Sequence, residues 1–148
     1  MLFRDNYFFK HKHKLVKVSI ASDKWNHDFN KTLIIPKKTT EKELKEILEQ
    51  SLGSVEITSI IEERVLCLIN PEEEMVRRTE KNIIDDVWKD GIEFSVAVYF
   101  SRKKTAYFSI VGDWKTTESE IRELMSFLCL DVYEVHVDEI GDCWVKRE

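Results

Sequence analysis

The chain has 148 residues, 43% of them apolar and 34% charged, with a formal net charge of −5; such a composition describes a folded, highly charged protein and excludes an intrinsically disordered one. No apolar run approaches the ~20 residues that span a bilayer, and Met1–Asn6 has neither the apolar stretch nor the cleavage site of a secretory signal. Three widely spaced cysteines, Cys67, Cys129 and Cys143, argue against a disulfide framework and for buried thiols in a reducing compartment, so the cytoplasm is the expected location.

Charge is uneven along the chain. Residues 1–45 hold 11 Lys and Arg against 5 Asp and Glu, whereas residues 46–148 hold 12 against 23. A basic front and an acidic remainder steer binding toward charged partners unless folding interleaves the two.

Residues 1–14 read as an N-terminal arm, in which Tyr7-Phe8-Phe9 precede the tract Lys10-His11-Lys12-His13-Lys14. Extended on nucleic acid, Lys10, Lys12 and Lys14 would neutralise phosphates while the aromatics stack on bases. A chain with pI near 5.5 nevertheless lacks the broad basic face of most nucleic-acid modules.

Residues 15–70 read as a first ββαββ unit. Leu15–Ile20 alternates with period two, and Thr32–Ile35 is a second strand closed by Pro36. Thr40 and Glu43 form a capping box, Leu44, Ile47, Leu48 and Leu52 lie on one helical face, and Gly53 is placed to end the helix. Val55–Ile60 and Val65–Ile69 then suggest a hairpin turning at Glu62-Glu63. The loop between the first two strands carries Trp25 and Phe29 among polar residues, a composition that suits interface anchors.

Residues 71–91 read as a connecting helix, opened by Asn70-Pro71 and three glutamates. Val76, Thr79, Ile83 and Val87 mark its inner face, and Asp90-Gly91 suggests a turn into the next strand. Residues 92–148 then repeat the first pattern. Phe94, Val96 and Val98 alternate, Ala106–Val111 is a second strand, Thr117 and Glu120 form another capping box, and Ile121, Leu124, Met125 and Leu128 supply the helical stripe. Val132–Val137 and Cys143–Val145 suggest a final hairpin around Gly141. Lys38–Glu46 and Lys115–Glu123 match at six of nine positions without a gap. The expected fold is therefore α+β, two similar ββαββ units of mainly antiparallel sheet joined by a helix.

Chemistry-bearing motifs are sparse. Four scattered glycines make no phosphate-binding loop, no serine sits in a Gly-x-Ser-x-Gly elbow, and Cys and His fall at no zinc-ligand spacing. No cofactor is implied. Glu134, His136 and Asp138 share one face of a strand and offer two carboxylates around an imidazole, which is the basis for an alternative reading as a metal-dependent enzyme. A charged face is also what solvent asks of a strand whose other face is buried. The preferred expectation is a non-catalytic module that binds another protein with a basic surface: an acidic inhibitor or adaptor, of the immunity type or a phage-encoded blocker of a host or nucleic-acid enzyme. Its contacts would be Trp25 and Phe29 as anchors, with Glu118, Glu123, Asp138 and Glu139 supplying orientation.

Overall fold

A computed structural model describes residues 12–24, 27–68, 83–100, 104–129 and 131–147. The elements are β1 (His13–Ala21), β2 (Phe29–Pro36), α1 (Glu41–Leu52), β3 (Glu56–Arg64), β4 (Leu66–Cys67), α2 (Ile83–Val87), β5 (Trp88–Phe100), β6 (Lys104–Gly112), α3 (Glu118–Leu128) and β7 (Val132–Lys146). The protein is α+β. Its strands form one mixed sheet in the order β3-β1-β2-β7-β5-β6-β4.

Both longer helices start as their capping boxes dictate. Thr40 Oγ1 accepts from the Glu43 amide at 3.1 Å, and Thr117 Oγ1 accepts from the Glu120 amide at 3.2 Å, each satisfying a donor the first turn would leave bare. Gly53 ends α1 at φ 82°, a conformation glycine adopts without a Cβ penalty, and its amide donates to Glu49 O. The apolar stripe of α1 packs Leu44 and Leu48 on Val16, Val18 and Ile20 of β1 and Leu33 and Ile35 of β2. In the same manner α3 packs Ile121, Met125 and Leu128 on Phe94, Val96, Val98, Ile110, Val135 and Val137.

The sheet closes on itself. Val65 alone separates β3, at one end of the strand order, from β4 at the other. Arg64 still pairs with Lys14 of β1, whereas Leu66 pairs with Ile110 of β6, parallel. At the seam between β2 and β7 a matching event occurs: β7 follows β5 for its whole length, and Trp144 and Val145 also pair in parallel with Leu33 and Ile34. Leu66 thereby joins the core under α3, and Trp144 packs with the core under α1. The enclosed interior is a third cluster of Leu15, Ile34, Val65, Cys67, Val111, Cys143 and Val145, drawn from β1, β2, β4, β6 and β7 and from the Val65 link.

Four sequence expectations are corrected. Glu62-Glu63 makes no turn: β3 runs through both, pairing them with Val16 and Leu15, and Lys14 binds Glu62 at 2.6 Å. An exposed edge strand accommodates charged side chains readily. Asp90-Gly91 makes no turn either, since both lie inside β5 opposite Trp144 and Cys143. Gly141 lies within an unbroken β7. Glu93 pairs with Gly141 and Phe94 with Glu139, so Ile140 bulges out, and Gly141 takes φ 155°. A glycine read as a turn serves a bulge. The ββαββ units are accordingly not observed in that form, because each closing hairpin is replaced by strand that continues. Finally, the helix before β5 ends at Val87 and the strand begins at Trp88; residues 71–82 of the expected connecting helix lie outside the described residues.

Candidate functional site

The strands β7, β5 and β6 present two unlike faces. Toward α3 they bury Phe94, Val96, Val98, Val135 and Val137. The opposite face carries Ser95, Ala97 and Tyr99 of β5, Tyr107 and Ser109 of β6, and Glu134, His136 and Asp138 of β7, and no helix packs there among the described residues. Register fixes the rows. Tyr107, Ala97 and His136 are directly paired across three strands, as are Thr105, Tyr99 and Glu134 in the next row, and Ser109, Ser95 and Asp138 beyond. Tyr107 is 74% exposed. His136 Nε2 lies 3.3 Å from Glu134 Oε1, and the ring of Tyr99 meets the imidazole edge-on at 5.2 Å. This is an amphipathic, acidic face with Ala97 at its centre, a large exposed aromatic on the β6 side and the carboxylates on the β7 side.

The structure separates the residues named from sequence. Asp138 lies on this face beside Glu134 and His136, whereas Glu118 and Glu123 are exposed on α3, which covers the other side. Glu139 is exposed and follows Val135 and Val137 in phase, on the α3 side. Phe29 opens β2 and is half-buried, its ring 6.2 Å from that of Trp144 in the core beneath α1. Trp25 lies outside the described residues, as does Lys10. Lys12 is exposed, but Lys14 is a strand residue. Its ammonium donates to Thr39 O at 3.0 Å and Glu62 Oε1 at 2.6 Å with its side chain only 14% exposed, so it is held within the fold. Among the described residues no three His, Cys, Asp or Glu side chains converge as a metal would require, and Glu134, His136 and Asp138 share a face without forming a ligand set.

A second polar feature lies inside the sheet. Glu93 is 4% exposed, and its carboxylate sits 3.8 Å from Lys17 Nζ. Burial pushes its pKa above the ordinary value; Lys17 opposes that shift, Glu63 adds to it, and Thr32 hydrogen-bonds to the carboxylate. Beside it, burial pushes the Cys143 thiol up to about 12, and burial raises Cys129 to about 11 under α3. All three cysteines are buried thiols, none of them in a disulfide. The ion pairs Lys14–Glu62 and Lys17–Glu93 join the basic front of the chain to its acidic remainder, so folding interleaves the charges that sequence order separates.

Comparison with protein-family models, curated proteins and solved structures gives no match. No helix among the described residues is long and apolar enough to cross a membrane. Tyr107 and Tyr99, which dominate the uncovered face, went unmarked by sequence reasoning. The available signal was a tyrosine at a solvent-phase position in a strand alternating Thr105, Tyr107, Ser109.

Proposed function

We propose that this chain is a non-catalytic protein-interaction module, an inhibitor or adaptor that docks through the uncovered face of β5, β6 and β7 on a partner with a basic surface. The observation that carries the reading is Tyr107, a large aromatic 74% exposed on β6, on the same sheet face as His136, Glu134 and Asp138 of β7, with β5 between them. Tyrosine contributes much contact area for little conformational entropy, and exposed aromatics at the centre of a polar face are the usual hot spots of interfaces. Glu134 and Asp138 would select a basic partner and speed encounter more than they add affinity. Trp114, also 74% exposed, lies in the loop before α3 and is a second candidate contact outside this face. Affinity capture from nuclease-treated lysate by the intact protein and by Tyr107→Ala tests the reading: a specific partner should be retained by the first and lost by the second.

We also infer that the chain arose by duplication of a ββαβ unit. In support, β1 lies between β2 and β3, and β5 lies between β6 and β7, each pairing antiparallel. The parallel seams Leu33–Trp144 and Ile110–Leu66 occupy corresponding places in the two halves.

A further inference from the structure

Backbone register between β2 and β7 covers Leu33 and Ile34, and the two strands part below that point, where Asn30, Lys31 and Thr32 keep their register with β1. The parting opens a cleft of about 400 Å³, within the usual range of small-molecule sites of roughly 300–1,000 Å³. Its wall is built from successive cross-strand rows, Lys17 opposite Thr32 and Ile61, then Ser19 opposite Asn30 and Ser59. Asp142 is the β7 residue in the lining.

Two properties of this lining select a ligand class. The first is charge balance. Lys17 is paired with Glu93 at 3.8 Å, Lys31 lies over the Trp144 ring at 4.4 Å, and Asp142 adds a carboxylate to the lining, so these four charges sum to zero. The second is a dense set of small hydrogen-bonding groups. Ser19 Oγ donates to Asn30 Oδ1 at 2.6 Å, which fixes the Asn30 amide so that its NH₂ donors remain for a ligand. The Ser59 hydroxyl lines the same cleft, the Thr32 hydroxyl, which serves Glu93, keeps only its acceptor capacity, and Ile61, exposed, offers one apolar contact. A neutral molecule rich in hydroxyls, with one CH face, complements this arrangement; an anion, a cation or a hydrocarbon does not. We propose that the cleft between β2 and β7 binds a small neutral saccharide, independently of the protein-docking face.

Amide chemical-shift titration of the ¹⁵N-labelled full chain with glucose, galactose, mannose, N-acetylglucosamine and maltose tests this, with glycine and inorganic phosphate as charged controls. At least one sugar should shift residues 17–19, 30–32 and 59–61 saturably with an affinity on the order of millimolar, as expected for an open polar site. Asn30→Ala and Ser59→Ala, both on exposed positions, should each weaken that binding by about fivefold or more while leaving the remaining spectrum in place. Absence of saturable shifts in those segments with all five sugars overturns the proposal. So does equal sugar affinity in both variants, or tighter binding of glycine or phosphate than of any sugar.

Discussion

Lys17 and Glu93 meet across the inside of the sheet, ammonium to carboxylate at 3.8 Å, and tie β1 to β5, two strands that share no backbone pairing. Glu93 lies among a cluster otherwise made of Leu15, Ile34, Val111, Cys143 and Val145. A carboxylate there costs more desolvation than its half-exposed partner returns.

Two consequences can be measured. The pKa of Glu93 is raised above 4.5 in the folded state, chiefly by burial, so the folded protein holds this proton more tightly than the unfolded chain. Its contribution to stability is therefore most favourable below pH 4.5 and declines as pH rises from there to the raised folded pKa, above which it is constant. Glu93→Gln should remove that decline, so the stability difference between variant and native protein changes across this window and levels off above it. At pH 7, Glu93→Leu should be neutral or stabilising by about 1–3 kcal/mol. Lys17→Met, which leaves the carboxylate unpartnered, should cost about 1–3 kcal/mol, discounted because Lys17 is partly solvated. Urea denaturation between pH 4 and 8 decides; loss of stability in Glu93→Leu equal to that in Lys17→Met would mean the pair is net favourable.

The two capping boxes should behave as independent copies. Thr40→Ala and Thr117→Ala each remove the acceptor for one first-turn amide and should cost about 1 kcal/mol apiece. The caps belong to different helices over different cores, so the double variant should cost nearly the sum. A markedly smaller loss at either site in denaturant titrations would show that solvent satisfies that helix start equally well.

The thiols should be inert in the native protein. Cys129 and Cys143 are pushed up to about 11 and about 12 by burial, and the thiolate is the reactive species. Alkylation near neutral pH should proceed at the rate of unfolding and accelerate sharply in denaturant. Rapid native labelling of either cysteine would contradict the packing described for the interior.

Much of the local structure was legible in the sequence because it is set by neighbours in the chain. Thr40 and Thr117, Gly53, and the period-two runs Val16-Val18-Ile20 and Phe94-Val96-Val98 announce helices and strands through interactions within a few residues. The strand ends were not legible. Glu62-Glu63, Asp90-Gly91 and Gly141 carry the composition of turns, yet long-range pairing with Val16, Trp144 and Glu93 holds each extended. The exchange of Leu66 and Trp144 between the two halves depends on contacts no local pattern encodes. The same holds for the surface: Phe29 sits among loop-like residues but has Trp144 to pack against, while Tyr107 sits in an ordinary strand and is 74% exposed.

Protein docking on the face bearing Tyr107 is the proposed function. Its most direct test is quantitative affinity capture from nuclease-treated lysate with the native chain, Tyr107→Ala and Trp114→Ala in parallel, after each variant is shown to melt like the native protein. Truncating an anchor commonly costs about 2 kcal/mol or more of binding. A partner should be enriched by the native chain, retained after nuclease treatment, strongly depleted with Tyr107→Ala and still captured with Trp114→Ala. A partner captured equally by the native chain and Tyr107→Ala, or captured only when nucleic acid is left intact, would contradict it.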